Sequence, residues 1–386
     1  MIRNPAGLES LLAGIRRFVR ETAIPNERRV EEGDAIPEAI VDEMRRLGFF
    51  GWSIPEQYGG AGLTTEELCL ANMEISQCSV AYRARAGTNT GIGAEAIIVD
   101  GTEAQKAACL PKLASGEWTG CLAVTEPEAG SDLLGGLATT AVADGNDYIL
   151  NGTKRYITNA PIADLFNVLA RSDPANKGAS GTTAFLVERG TPGLSIGTPH
   201  RKMGQAGSPV SEVYFRDCRV PKANIIGGVP GRGFATVMKS LNKQRINLAS
   251  LCTGPAIRLL EEALAHARAR RQGGKAIGEY QLVQAMLADC KVEIEAARAL
   301  ILQTARARDA GEDVTMQVSM CKYLASEMCG RVADRVVQIF GGAGYCGDIA
   351  DAVERLYRDV RLFRLYEGTS QIHQLNIARH LLQGTP

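Results

Sequence analysis

The sequence predicts a mostly α-helical protein with a central β-domain, and three observations predict it. Apolar residues recur at helical spacing through about the first 120 residues. From about Gly120 the texture changes to alternation broken by Gly, Pro and Asn. From about Gly231 the helical period returns in long amphipathic runs. The expected division is a helical domain at residues 1–119, a β-domain at 120–226 and a helical bundle at 227–386. A chain of 386 residues, 45% of them hydrophobic, is long enough to bury a large core in two or three domains or layers.

Leu8, Leu11, Leu12, Ile15, Phe18 and Val19 mark the first helix, and PEAIVDEMRRLGFFG repeats the pattern up to a Gly stop. IPEQYGGAGL reads as a Pro/Gly loop, followed by helices through LANMEISQC and EAQKAACLPKLASG. In DYILNGTKRYITNA, Asn151-Gly152 predicts a hairpin turn between alternating segments. TTAFLVERG and SEVYFRDCRVP read as strands. RINLASLCTGPAIRLLEEALAHARAR, QLVQAMLADCKVEIEAARALILQTARARD and SMCKYLASEMCGRVADRVVQIF predict three long helices packed near-antiparallel.

Lys plus Arg and Asp plus Glu both number 43, which gives no basis for nucleic acid or an anionic membrane as a bulk partner. The near-zero charge is compatible with an oligomer. No run of about 18 apolar residues occurs, so no membrane insertion is expected. The N-terminal segment is amphipathic and Arg-bearing, but Glu9 and Glu21 make it the first helix of the mature fold rather than a transit peptide. The ten cysteines include no C-x-x-C, and Cys69/Cys78 and Cys321/Cys329 lack metal spacing. Reduced, buried thiols in a cytoplasmic protein are expected. The four histidines do not cluster, and no metal site is expected.

Gly342, Gly344 and Gly347 spell G-x-G-x-x-G, yet a helix-spaced segment precedes them where a dinucleotide turn requires a strand. Ala123 to Asp132, AVTEPEAGSD, reads either as a turn suited to an anionic or heteroaromatic ligand or as an ordinary strand-turn with an Asp cap. Tyr156 and Thr158 share a strand face, offering an aromatic wall and a hydroxyl, or else core. Glu367, before Gly-Thr-Ser, is by itself a helix-entry carboxylate or a catalytic one.

Together these motifs resemble the acyl-CoA dehydrogenase family. Ala123–Gly135 is similar to its first signature, and RRQGGKAIGEYQ to its R-x-x-F-G-x-x-I-x-x-x-Q helix start. QIFGGAGY, LYRD and LYEGTSQI resemble its C-terminal motifs in the right order, and the resemblance covers essentially the whole chain. It implies an N-terminal helical domain, a middle β-barrel or sandwich, a C-terminal bundle, bound FAD and a homotetramer built as a dimer of dimers. The implied reaction removes the α-proton of an acyl-CoA thioester while the β-hydrogen passes to flavin N5. Electrons would then go to an electron-transferring flavoprotein.

Carried over residue by residue, the resemblance places Leu122, Val124, Thr125 and Ser131 on the flavin and its phosphate, and Tyr156 and Thr158 against its ring. Arg270 would face the pyrophosphate, with Gln281 near the cofactor and Thr369 and Gln371 completing the site. Gln338, Gly341 and Gly342 would carry the ADP half of the FAD held mainly by a neighbouring subunit, glycine permitting close approach. Glu367 aligns with the catalytic base, whose pKa gains from desolvation. A flavin ribityl hydroxyl and the backbone NH of the base would steady the enolate-like oxygen. Ser131, Arg245, Tyr366 and Gly368 fall on the substrate side. Some relatives place their base where Gln244 stands here, and an amide cannot serve.

The chain departs from the family at Tyr156, usually Trp, at Gly273-Gly274, usually Phe-Gly, and in a loop at GYCGDIADAVERLYRD about two residues longer than usual. In YRARAGTN, Arg83 lines up with the arginine that glutaryl-CoA dehydrogenases use for a distal carboxylate, which implies a polar, cyclic or dicarboxylic acyl group. Alternatively Arg83 or its neighbour Arg85 faces solvent or a subunit interface. ITNAPIAD and GTPGLSIG also resemble relatives that oxidise acyl or aminoacyl groups on a carrier protein. A non-catalytic flavin-binding protein is the remaining alternative.

Overall fold

The computed structural model describes residues 1–383. The chain enters on α1 (Pro5–Arg17), capped by Asn4, whose Oδ1 accepts from Gly7 N at 3.0 Å, with Pro5 at the first helical position. A wider π-turn (Phe18–Ala23) carries it on to α2 (Glu27–Gly33) and α3 (Glu38–Arg46). After the Pro/Gly loop come α4 (Thr65–Ile75), α5 (Val80–Gly87), α6 (Glu95–Asp100) and α7 (Glu103–Ser115). Capping boxes at Thr64/Glu67 and Thr102/Gln105 start α4 and α7. Phe18, Phe49, Phe50, Trp52 and Tyr82 are buried in one cluster with Ile15 and Met44. Each such side chain contributes roughly 1.5–3 kcal/mol by leaving water.

The middle of the chain forms one seven-stranded sheet: β1 (Gly120–Ala123), β2 (Thr140–Asp144), β3 (Asp147–Thr158), β4 (Leu165–Arg171), β5 (Thr182–Glu188), β6 (Leu194–Ile196) and β7 (Val210–Pro221). Its order is β1-β4-β2-β3-β7-β6, with β5 also paired to β4. Every residue of β4 is buried, as expected of a strand covered on both faces.

One expectation fails here. Asn151-Gly152 is not a turn: β2 and β3 pair with Asp144 opposite Asp147, so the hairpin turns at Gly145-Asn146. Asn151-Gly152 instead runs on in mid-strand, where Asn151 faces a bulge in β7 at Arg216-Asp217, with Asp217 at φ 48° and the register shifted between Leu150 and Gly152. A Cβ on Gly152 would lie 2.7 Å from Thr139 Cα, and Asn151 exchanges hydrogen bonds with Asp217. A tight turn and a close strand approach opposite a bulge both call for glycine, so the dipeptide alone does not separate them.

The remaining helices are α8 (Gly233–Ala269), α9 (Gln281–Asp309), α10 (Thr315–Phe340), the single turn α11 (Gly342–Tyr345), α12 (Asp351–Val360) and α13 (Ser370–Gln383). A small hairpin, β8 (Arg271–Gln272) and β9 (Lys275–Ala276), turns on Gly273-Gly274, both at positive φ. The glycine that departs from the family motif thus makes a tight turn. Small residues such as Ala263, Ala297, Ala325 and Ala333 let α8, α9 and α10 close around Leu259, Ile294, Val318 and Met328. The G-x-G-x-x-G follows α10, a helix, as the sequence context required. Among the described residues no helix is long and apolar enough to cross a membrane, all ten cysteines are free with only Cys346 partly exposed, and no cluster fit to hold a metal occurs.

Candidate active site

A cavity of about 240 Å³ opens where the end of β1, the bulged end of β3, α5, α8 and the turn before α13 meet. Leu122, Val124 and Thr125 enter it because β1 ends there and the chain turns away. That turn is held by two residues the sequence reading passed over. Lys154 Nζ donates to Glu126 Oε1 at 2.6 Å and to the Val124 carbonyl at 3.2 Å, and Glu126 accepts from the backbone NH groups of Ala138 and Thr139. Burial opposes ionisation of Glu126, but the ammonium and these donors outweigh it and hold the carboxyl below its usual range. Burial likewise pushes Lys154 down to about 8, against the pull of Glu126.

Tyr156 and Thr158 both line the cavity, though not by simple alternation. Register slips between Lys154 and Ile157, and Tyr156 adopts φ 60°, which leaves its ring exposed at the mouth, 5.7 Å from the His200 ring. Leu122 and Val124 beside the hydroxyls of Thr125 and Thr158 and the face of Tyr156 suit a flat heteroaromatic ring carrying polar edges. Ser131 lies on the exposed loop beyond, where Gly130 rather than Ser131 reaches the cavity.

Glu367 occupies the opposite side with Tyr366 and Gly368. Two successive residues here have positive φ, 53° at Glu367 and 95° at Gly368. A Cβ on Gly368 would stand 2.9 Å from His373 Nε2, so both the backbone and the packing call for glycine. The turn directs the carboxyl into the cavity, and its Oε2 is buried with no hydrogen-bond partner. Burial pushes Glu367 up to about 7, while Lys322, Arg245 and Arg83 pull the other way. Arg245 Nε reaches the Glu367 carbonyl at 3.4 Å and His373 Nε2 reaches it at 3.2 Å. Lys322 Nζ donates to the Gly368 carbonyl at 2.6 Å. Lys322 and His373 escaped the sequence reading, yet Lys322 carried a signal: it falls on the buried stripe of α10 with Val318, Cys321, Ala325 and Cys329.

At the far wall Arg83 is buried, its Nε donating to Asn72 Oδ1 at 2.6 Å. Its guanidinium lies along Gly87, where a Cβ would be 1.6 Å from Nη1. Burial pushes Arg83 down to about 10, with Glu367 opposing. The placement of Arg83 in solvent therefore does not hold. Arg85 points elsewhere, donating to Thr119 Oγ1 at 2.8 Å under the Phe50 ring. Gln244 and Asn247 share the wall with Arg83, and Gln244 is tied to the buried Glu95 at 3.4 Å.

The remaining predicted residues do not line this cavity. Arg270 ends α8, Gln281 begins α9, and Gln338, Gly341 and Gly342 sit at the exposed end of α10. His266 stacks on Phe340 at 4.0 Å, which joins the ends of α8 and α10 into one surface. Thr369 Oγ1 accepts from Ile372 N at 3.3 Å and opens α13, with Gln371 exposed beside it.

Comparison with known proteins matches three family models: acyl-CoA dehydrogenase, N-terminal domain over residues 6–117, middle domain over 121–218 and C-terminal domain over 231–382. The chain is 39% identical over 371 residues to an acyl-CoA dehydrogenase of Bacillus subtilis, covering 96% of this chain and 97% of that one. It is 38% identical to the caffeyl-CoA reductase–Etf complex subunit CarC of Acetobacterium woodii, covering 92% of each. Among solved structures it superposes on butyryl-CoA dehydrogenase from Megasphaera elsdenii with a TM-score of 0.93 at 33% identity, covering 99% of this chain and 100% of that one.

Proposed function

Because this chain belongs to the acyl-CoA dehydrogenase family, an FAD-dependent group of oxidoreductases, we propose that it dehydrogenates an acyl-CoA thioester at Cα–Cβ with Glu367 as the base. The observation that carries this reading is the Glu367 carboxyl itself, aimed into the cavity with an unpartnered Oε2 and held near neutrality by burial. A thioester α-proton is weakly acidic, so a desolvated carboxylate that gains basicity is the group the step needs. Leu122, Val124, Thr125, Tyr156 and Thr158 would hold FAD, which when bound would supply the acceptor for the β-hydride. Glu367 would take the α-proton at Oε2, its own backbone NH would donate to the developing thioester oxygen, and bound substrate would seal the cavity against competing water.

The acyl group we assign is polar or dicarboxylic. Arg83, Arg245 and Lys322 place three cations around one carboxylate, Glu367, and that surplus favours an anionic group near Arg83. The reductase relative favours a second reading, in which the same site runs backward and protonated Glu367 delivers its proton to Cα of an enoyl thioester. The Etf named for that relative supports an electron-transferring flavoprotein as partner. Exposed Leu282, Val292, Tyr345, Leu375, Leu381 and Leu382 support burial in a homotetramer. There the end of α10 and Arg270 would meet the ADP half of a neighbouring FAD. Buried, unpaired thiols fit a cytoplasmic enzyme.

The test is anaerobic flavin bleaching of the purified holoenzyme with short, branched, cyclic and dicarboxylic acyl-CoA thioesters, beside Glu367→Gln. Bleaching by one class, lost in the variant, supports the reading. Bleaching by none, with FAD bound, turns the assignment to a carrier-protein thioester or to a non-catalytic flavin protein. Reoxidation of reduced enzyme by enoyl-CoA measures the reverse direction.

A further inference from the structure

Lys322 is fully buried, and an ammonium in a protein interior needs a partner that justifies its desolvation. Lys154 has one in Glu126, but among the described residues no carboxylate lies within salt-bridge distance of Lys322. Its hydrogen bond goes instead to the backbone carbonyl of Gly368, the residue next to the base. That carbonyl belongs to the turn in which Glu367 and Gly368 both have positive φ, a conformation that persists only where surroundings hold it. Three helices supply the holders. Arg245 from α8 and His373 from α13 meet the Glu367 carbonyl, and Lys322 from α10 meets that of Gly368. Since a carbonyl only accepts, His373 donates through Nε2, and burial beside Lys322 and Arg245 keeps the ring neutral. Lys322 makes the shortest of these contacts.

We propose that Lys322 is a positioning residue for the proton transfer: by pinning the Gly368 carbonyl it keeps the Glu367 carboxyl turned into the cavity, and its charge keeps that carboxyl available as carboxylate. The proposal rests on Glu367 being the base. The groups facing Lys322 are Cys252 and Arg245 on α8, Glu327 on α10 itself, Glu367 on the turn and the neutral His373 on α13. Those facing Glu367 are Lys322, Arg245, Arg83, the neutral His373, and the protonated Tyr366 and Cys252, which burial pushes up. Of the cations around Glu367, Lys322 acts on it most strongly. Removing it therefore makes the base harder to ionise and frees the turn at once.

The experiment compares holoenzymes of wild type, Lys322→Met, Lys322→Gln and Glu367→Gln on the thioester that bleaches wild type best. FAD content, thermal midpoint, kcat, KM and the pH dependence of kcat from about pH 6 to about pH 9 are read for each. Lys322→Met is expected to fold and hold FAD, lose about 10- to 100-fold in kcat near neutrality, and keep KM within about threefold. Its acid limb is expected about one unit higher. Lys322→Gln keeps a donor without the charge, and is expected to recover kcat at high pH while retaining the displaced limb. Wild-type kcat and an unmoved limb in Lys322→Met overturn the proposal, as does a loss confined to KM. If neither variant accumulates as folded holoenzyme, Lys322 is a folding residue and the proposal falls. Turnover by Glu367→Gln overturns the base assignment instead, a result separate from all of these.

Discussion

Lys154 Nζ stands 2.6 Å from Glu126 Oε1, with both side chains closed off from solvent. The pair joins β3 to the chain leaving β1, so one contact sets the distance between the two walls on which Leu122, Val124, Thr125 and Tyr156 stand. Removing one partner of a buried pair strands the other charge, at roughly 3–5 kcal/mol. Lys154→Met is expected to lower unfolding stability by about that amount and to release FAD more readily, while Glu126→Leu/Lys154→Met together recover most of the stability. Denaturant titration and the flavin-to-protein absorbance ratio measure both. A single variant as stable as the double would refute the coupling. Because the folded pKa of Glu126 is lowered, its contribution is present above the unfolded value and is lost as pH falls through the folded one.

Glu367 has the opposite sign. Its folded pKa is raised to about 7 from 4.5, so its contribution to stability is complete below about pH 4.5 and is lost as pH rises through 7. The ionised base therefore destabilises the fold by up to about 3 kcal/mol above neutrality. Glu367→Gln is expected to melt higher than wild type at pH 8 and to converge with it near pH 4.5. Its activity is expected to fall by about 10²- to 10⁴-fold. For wild type, kcat/KM is expected to rise with pH up to about 7. Equal melting points at both pH values would show that the carboxylate is better solvated than its surroundings imply.

Arg83 is expected to select the acyl group. Arg83→Met is expected to cost about 10- to 100-fold in kcat/KM on a dicarboxylyl-CoA and little on a plain acyl-CoA, the range of a buried charge-assisted contact. Gly87→Ala tests the same point without touching the arginine, since the new Cβ would stand 1.6 Å from Nη1 and displace it. Equal losses on both substrates would sink the anion-pocket reading.

The close approach of Gly152 to Thr139 supplies a structural test. Gly152→Ala places a Cβ against Thr139 Cα at 2.7 Å and is expected to destabilise by about 2 kcal/mol or more. Gly274→Ala, also at positive φ but with open space around it, is expected to cost about 1 kcal/mol. Thermal unfolding of the two variants separates steric from conformational cost.

The long helices were legible because a periodic apolar stripe is a local property. Thus α8, α9 and α10 fall where Leu, Ile, Val and Ala recur, and the strands β5 and β7 where β-branched and aromatic residues do. Asn151-Gly152 misled because the residue pair reports a backbone permission, while its use in mid-strand or in a turn depends on Thr139 and on the bulged Asp217 of another strand. Tyr156 and Thr158 reach the cavity through a second register shift, between Lys154 and Ile157, which alternation alone does not describe. Lys154 and Lys322 carry no motif, and only Lys322 falls on an apolar helical stripe, beside Val318, Cys321, Ala325 and Cys329.

By itself the sequence determined the succession of helices, sheet and helices, the order of the motifs and the presence of one carboxylate before Gly-Thr-Ser. These follow from short-range pattern, which the chain carries whether or not it is folded. Only the tertiary structure decided that Glu367 is desolvated, that Lys322, Arg245 and His373 from three helices converge on its turn, and that Arg83 faces the cavity while Arg85 does not. A carboxyl's proton affinity and a cation's partner depend on what surrounds them in space. Here those surroundings come from residues as near in the chain as His373 and as far as Arg245 and Arg83.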